Sequence, residues 1–289
     1  MKKMLSLLLL VLLPLSALSE GAFDCPIDSS FRGYAPNPDG YTENGYSDES
    51  LTVTTEKREV DGVRYDLIWF TVKSPTQLRT AVAGKPNEPV TERPSRMARY
   101  FNAVAAINGE YYVQRTRDII VYRQGVMFRN EPDPKKDVLI IDDKGDFHVF
   151  TSEDKKAEIE QFISDGGVIV NAFNFGPALV VDGQALSIRE DYYFNCGDRL
   201  PRSVIAQVGP LSYLFIEAEG RSRESKGNTH QQMADYMATL GVKTAYNLDG
   251  GQSSVLLFGG KIFDDKTENT ERPQSDIIYV VSAVNPEKK

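Results

Sequence analysis

Residues 229–254 read THQQMADYMATLGVKTAYNLDGGQSS. Met233, Tyr236, Met237 and Leu240 recur at spacings of three and four, so the first half is an amphipathic helix with its methionines turned to a core. Thr229 is placed to cap its start and Gly241 to stop it. KTAYNL then reads as a strand. The chain passes through Asp249-Gly250-Gly251-Gln252-Ser253-Ser254 into a second apolar strand, VLLF, which ends in the turn GGK. This order decides the fold. A phosphate-cradling glycine loop follows a strand and opens a helix, and the nucleotide version adds Lys-Ser/Thr after the glycines. Here the helix comes first, a strand comes last, and that lysine is missing, so the nucleotide-loop reading fails. What remains is a carboxylate at the carboxyl end of a strand, beside backbone that a ligand can approach closely because glycine has no Cβ. Two serine hydroxyls follow. Such a loop suits a small polar ligand; the alternative is a glycine-rich strand connection whose Asp caps its own backbone.

The flanking chain is rich in hairpins. LTVTTEKREV and VRYDLIWFTV are β-rich runs joined by Asp61-Gly62, a strong hairpin signal. LRTAVAG reads as the next strand, ERPSRMARYFNA as a helix opened by Pro94, and VAAING as a strand ending at Asn108-Gly109. IIVYRQGVMFR, VLIIDDKGDFHVF, ALVVDGQAL and SVIAQVGPLSYLFIEAEG are further hairpins. SEDKKAEIEQFISDGG is a helix with Ser152 as N-cap and Gly166 as stop. Three helices among about a dozen strands imply an α+β fold with mixed, largely antiparallel sheets, not a βαβ series. Residues 20–50, crowded with Gly, Pro, Asn, Asp and Tyr, read as an irregular arm, 51–285 as the main domain and 286–289 as a frayed tail.

The start of the chain bears on location. Lys2 and Lys3 precede an apolar run from Met4 to about Leu15 and then Ala17-Leu18-Ser19, the pattern of a signal peptide over residues 1–19. About a dozen apolar residues fall short of the roughly 20 that span a bilayer, and no cysteine stands at the cleavage point. The expectation is an exported protein, periplasmic or secreted, with no membrane span after cleavage. The 289-residue chain carries 33 Lys and Arg against 41 Asp and Glu, a net charge of −8. Removing Lys2 and Lys3 with the leader gives −8 − 2 = −10. An acidic chain without a basic tract argues against nucleic acid as a partner. In an oxidising compartment Cys25 and Cys196 either pair, stapling the arm to the body, or stay as separate thiols. Two histidines and two cysteines make a zinc site improbable, and no loop has the acidic spacing of a calcium site, so no metal or cofactor is expected.

NLDGGQSS resembles the LDGGGSS signature of the phosphodiester glycosidase family, and the resemblance extends along the chain. AING (106–109) is similar to the family's early Asn-Gly segment, FNFGPALVVDGQ (173–184) to its GP-L-V-DG element, and PRS (201–203) to its PRT/PRS segment. EGRS (219–222) resembles its DGR turn, with Glu219 where Asp is usual, and ERP (271–273) completes the order. Residues 20–90 carry little of this likeness. Two departures stand out: Gln252 replaces a third glycine, and Glu110 follows Asn-Gly where a small residue is usual.

The resemblance implies hydrolysis of a sugar-1-phosphodiester between the anomeric carbon and the phosphate oxygen. Glycoside cleavage passes through an oxocarbenium-like state and ordinarily uses two carboxyl groups. Asp249 is the first candidate, with Glu110 or Glu219 as the second. Arginine grips phosphate in a bidentate fork, which singles out Arg202, carried by the family motif, and Arg221; Arg223 reads as a solvated loop charge. Gly250, Gly251, Ser253 and Ser254 are placed to line the ligand with N–H and O–H donors. Asn108 either bonds a sugar hydroxyl or forms an Asx turn. His230, in the first turn of its helix, reads as a surface residue, and His148 shows no partner in its strand. The alternatives to this hydrolase are a glycosidase for ordinary glycosidic bonds and a non-catalytic saccharide- or phosphate-binding module in exopolysaccharide assembly or adhesion.

Overall fold

The computed structural model describes residues 23–85, 88–114, 119–192, 196–264 and 270–288. The export segment read at residues 1–19 lies outside them. The described chain begins its sheets with a small hairpin of β1 (Tyr41–Thr42) and β2 (Gly45–Ser47). The arm expected over 20–50 is therefore structured at its end: Tyr46 is buried, pairs with Val53 and donates its hydroxyl to Asp48 at 2.7 Å. Next come β3 (Leu51–Val60) and β4 (Val63–Val72), joined by Asp61-Gly62. Both turn residues take positive φ, 52° and 72°, as a two-residue hairpin of matching twist requires.

Strand β5 (Leu78–Val82) precedes helix α1 (Pro94–Tyr100) and β6 (Ala105–Asn108). Two hairpins follow, β7 (Ile120–Arg123) with β8 (Val126–Asn130) and β9 (Val138–Asp142) with β10 (Phe147–Phe150). Helix α2 (Lys155–Ser164) then leads to β11 (Ile169–Phe173). Its N-cap is Asp154 and not Ser152, whose hydroxyl is held by Glu158 at 2.7 Å. The pair β12 (Ala178–Val181) and β13 (Gln184–Ala185) comes before the long hairpin of β14 (Arg202–Gly209) and β15 (Ser212–Ala218). Helix α3 (His230–Thr239) starts on a full capping box: Thr229 Oγ1 accepts from Gln232 N, and Gln232 Oε1 accepts from Thr229 N, both at 3.1 Å. Strands β16 (Thr244–Asn247), β17 (Leu256–Phe258), β18 (Lys261–Ile262) and β19 (Asp276–Val280) complete the set. The tail expected to fray instead closes as a 3₁₀ turn, Pro286–Lys288.

Three sheets result: β1-β2-β3-β4-β15-β14-β16-β12-β13, β10-β9-β11-β7-β8 and β18-β17-β6-β19-β5. Every pairing between described strands is antiparallel, so the fold is α+β without the parallel pairs that a mixed sheet would contain. The largest apolar cluster draws on all three: Phe70 and Phe215, Leu139 and Phe173, Ile107 and Ile278. The nine-stranded sheet is buried on both faces at its centre. Ile205 of β14 faces that shared core, while its neighbours Val204 and Ala206 meet Met233 and Met237 of α3 on the opposite face. Two-sided burial explains why these strands read as nearly unbroken apolar runs. Burial on one side and exposure on the other would instead give strict alternation.

Candidate active site

The loop after β16 carries the chain from the nine-stranded sheet to β17 in a different sheet. Three segments far apart in sequence are stitched together where it crosses. Asp249 N donates to Gly109 O at 3.3 Å, Leu248 N to Ser203 O at 2.8 Å, and Gly251 N to Pro201 O at 2.9 Å. Asn108 pins the junction: its Nδ2 donates to Asp249 O at 2.7 Å and Gly109 O at 3.0 Å. Its Oδ1 accepts from Ser203 Oγ at 2.8 Å and Val255 N at 3.1 Å. The amide is fully buried and its capacity is consumed by protein, so it makes neither of the roles expected for it. The glycines are needed for approach and for conformation. A Cβ on Gly250 would stand 2.8 Å from Pro201 O, and Gly251 has φ +66°.

Beside this loop lies a cleft of about 380 Å³. Asp249, Gly250, Gly251 and Gln252 line it together with Arg202, Arg221 and His230. Tyr111, Phe175, Leu200 and Arg272 close it. Asp249 is the carboxylate among the described lining residues, against three guanidinium groups. Arg202 is 4% exposed. Its Nε donates to Asn228 O at 3.0 Å, its Nη2 to Asp198 O at 2.8 Å, and its Nη1 lies 2.9 Å from His230 Nε2. Burial pulls the Arg202 pKa down to about 10, with Cys196 and Asp198 opposing and Arg221 adding to the fall, which leaves the group charged at neutral pH. Burial, then the Arg202 charge, push His230 down to about 2, so the imidazole is neutral.

Arg272, on the cleft lining, is held beside Tyr111 and Ser253. It donates to Tyr111 Oη at 3.0 Å and Ser253 Oγ at 3.3 Å, and its guanidinium carbon lies 4.8 Å from the Tyr111 ring centre. The preceding residue fixes its base, because Glu271 accepts from both Ser95 N and Ser95 Oγ at 2.6 Å at the start of α1. The ring and guanidinium together make a flat, cationic wall. Phe175 and Leu200 supply apolar surface of the kind that sugar rings pack on.

Asp249, Arg202, Arg221, Gly250 and Gly251 thus meet in one cleft, as the sequence leads one to expect. Others do not join them. Glu110 is fully buried: Oε1 pairs with Arg123 Nη2 at 2.9 Å and Oε2 accepts from Asn174 N at 2.8 Å. Arg123 also pairs with Asp276 at 2.6 Å, and burial, opposed by Arg123, lifts Asp276 to about 7. Glu219 borders a separate cleft of about 300 Å³ with Arg64, Glu217 and Asp264. Pro201 and Gly220 face that second cleft, while their neighbours Arg202 and Arg221 face the first. Ser253 and Ser254 are buried behind the loop, off the cleft lining, and Arg223 is exposed away from it.

Cys25 and Cys196 are both free thiols, each buried in its own surroundings, so no disulfide staples the arm. Cys25 packs in the α1 cluster with Met97 and Ala83, while Cys196 Sγ lies 2.9 Å from Glu190 O. The arm is tied instead by Arg79, whose guanidinium donates to Pro26 O at 2.9 Å and Asp28 O at 2.8 Å. His148 has a partner, Asp142, at 3.0 Å. His230 is 2% exposed rather than superficial. Sequence reasoning also passed over Tyr111, Phe175, Leu200 and Arg272. Arg272 and Phe175 carried a signal, through their places in the ERP and FNFGPALVVDGQ segments; Tyr111 and Leu200 reach the cleft through chain closure.

The profile of the family described as phosphodiester glycosidase matches residues 101–281. A curated relative, the SPbeta prophage-derived uncharacterized protein YomE of Bacillus subtilis (strain 168), is 29% identical over 138 residues, 48% of this chain. That stretch is 21% of the relative, so the chain spans about a fifth of its length. Among solved structures, a hypothetical protein from Synechocystis superposes with a TM-score of 0.63 at 16% identity, over 80% of this chain and 62% of its own. The catalytic domain of zebrafish N-acetylglucosamine-1-phosphodiester alpha-N-acetylglucosaminidase, auto-inhibited by its pro-peptide, gives 0.62 at 15% identity, over 86% of this chain and 87% of its own. At such identities the two structures speak for the fold.

Proposed function

Because this chain belongs to the phosphodiester glycosidase family, we propose that it hydrolyses a sugar-1-phosphodiester at the bond between the anomeric carbon and the phosphate oxygen. The observation that carries the reading is the gathering, around one cleft, of the Asp249 carboxylate and the guanidiniums of Arg202, Arg221 and Arg272. A phosphodiester brings an anion for the arginines and, on scission, a developing positive charge on the sugar ring for the carboxylate. Asp249 stabilises that charge as the anomeric C–O bond lengthens. Water supplies the new oxygen at the anomeric carbon, and the phosphate monoester departs with the bonding electrons and takes up the proton that the water releases. Such a leaving group is already stable as an anion, so it needs no carboxylic acid to protonate it. That removes the need for Glu110 or Glu219 as an acid in the cleft. The Tyr111 and Phe175 rings hold the sugar, and the Gly250-Gly251 backbone lets it approach.

The export read at residues 1–19 belongs to the same proposal, with glycosyl phosphates of envelope or extracellular polymers as the substrate class. One observation favours a second reading, a non-catalytic binding module: Asp249 is the single carboxylate on the described cleft lining, whereas glycosidases ordinarily use two. The test is release of free sugar from an N-acetylglucosamine-1-phosphate ester by residues 20–289, with Asp249→Asn in parallel. The hydrolase reading expects turnover in the parent and a loss of about a hundredfold or more in the variant. Saccharide binding without release from a panel of glycosyl phosphodiesters would transfer the case to the binding module.

A further inference from the structure

We propose that Tyr111 is a further catalytic residue: oriented by Arg272, its hydroxyl donates a hydrogen bond to the phosphate oxygen that leaves the anomeric carbon. The inference deepens the hydrolase reading given above and rests on it.

The chain sets Tyr111 between two anchored neighbours. Glu110 before it is fully buried, with Oε1 on Arg123 Nη2 at 2.9 Å and Oε2 accepting from Asn174 N at 2.8 Å. Tyr112 after it is fully buried as well, its N–H donating to Glu110 O at 2.9 Å and its carbonyl accepting from Arg129 Nη1 at 3.1 Å. Between these two inward side chains Tyr111 is half-buried and lines the cleft. Two residues earlier, Gly109 O accepts from Asp249 N at 3.3 Å, so one short segment presents the phenol and braces the carboxylate loop. Arg272 is anchored as firmly. Glu271 before it is bonded to Ser95, and Gln274 after it exchanges two backbone hydrogen bonds with Glu92, at 2.8 and 3.0 Å.

Hydrogen-bond polarity then directs the tyrosine proton. A guanidinium donates and cannot accept, so at 3.0 Å from Arg272 Nη2 the Tyr111 oxygen gives a lone pair and keeps its own hydrogen for another partner. Among the described residues Tyr111 Oη makes no second hydrogen bond. Arg272 Nη1 donates in turn to Ser253 Oγ at 3.3 Å, which holds the fork in place. Donation from a cation polarises the phenol and makes its O–H a stronger donor. With the ring of Tyr111 packed on the sugar, the hydroxyl at its tip reaches the oxygen that joins sugar to phosphate. As the anomeric C–O bond breaks, the electron pair collects on that oxygen, and the hydrogen bond strengthens with the developing charge. The phenol keeps its proton throughout; the proton that the departing monoester takes up is the one released by water.

The experiment measures steady-state hydrolysis of an N-acetylglucosamine-1-phosphate ester by the full chain, by Tyr111→Phe, by Arg272→Lys and by the double variant, each checked for an unchanged melting transition. Phe keeps the ring and removes the hydroxyl, so kcat is expected to fall about a hundredfold while KM stays within about threefold. Lys keeps the charge but loses the fork that aims the phenol, and kcat should fall about tenfold or more. In the double variant kcat should lie within about twofold of Tyr111→Phe, because Lys cannot misplace a hydroxyl that is gone. Should an Arg272 variant fail to fold, the kcat and KM of Tyr111→Phe decide. An unchanged kcat in Tyr111→Phe, a loss carried by KM instead, or losses that multiply in the double variant would each overturn the inference, and turnover by the parent would still leave the hydrolase reading standing. A parent that releases no sugar removes both.

Discussion

Asn108→Ala separates a structural pin from a substrate contact. The Asn108 side chain makes four hydrogen bonds within the protein, to Asp249 O, Gly109 O, Ser203 Oγ and Val255 N. Truncation removes all four. Ser203 can rotate its hydroxyl and the two carbonyls can be reached by a water entering the vacated space, so these three bonds cost somewhat under about 1 kcal/mol each. Val255 N–H is fixed by the backbone and points into the buried junction, and leaving it unsatisfied costs about 2 kcal/mol. The expected loss is about 4 kcal/mol, or roughly 8–16 °C in melting temperature for a domain of this size. Urea unfolding with a slope unchanged from the parent is the assay. Because the pin sets the position of Asp249, kcat should fall as well, with KM moving less. A loss of stability below about 1 kcal/mol together with a selective rise in KM would refute the reasoning and return Asn108 to the sugar.

Two further outcomes follow from the same geometry. Gly250→Ala places a Cβ 2.8 Å from Pro201 O, a backbone atom with little room to yield; the loop must shift, costing about 1–2 kcal/mol and about tenfold or more in turnover, and activity within twofold of the parent would show that the loop is looser than drawn. Asp276 is raised to about 7, chiefly by burial. A carboxyl raised in the folded state adds stability that is fully present below its unfolded value near 4 and is lost as pH climbs through 7. The parent's margin over Asp276→Asn, a permanently neutral isostere, should therefore shrink by a few kcal/mol between pH 4 and pH 8; a margin that widens over that range contradicts the assignment.

Much of the secondary structure was legible because its causes are local. The Asp61-Gly62 turn, the Pro94 start of α1, the Thr229 cap and the Gly241 stop each act within a few residues of themselves. The reading failed where a distant partner intervened. Ser152 is a good cap by type, yet Glu158 engages its hydroxyl and the helix begins after Asp154. The 20–50 arm looked irregular by composition, but its end pairs with β3 because Tyr46 has a core to enter.

The sequence by itself determined the order helix, strand, glycine loop, strand, and with it an α+β class of largely antiparallel sheets, since hydrophobic period and turn chemistry act at short range. It also singled out Asp249, Arg202 and the two glycines as candidates for one site through motif resemblance. Only the tertiary structure decided which charges face the cleft. Glu110 stands two residues beyond Asn108 in the chain, but Arg123 and the Asn174 N–H hold it in the core. Glu219 is two residues from Arg221, but the two face different clefts. His230 and Arg272 reach the cleft from opposite sides of the Asp249 loop in sequence. Whether a charge is paired, buried or presented depends on residues brought near by chain closure, and no local period encodes that.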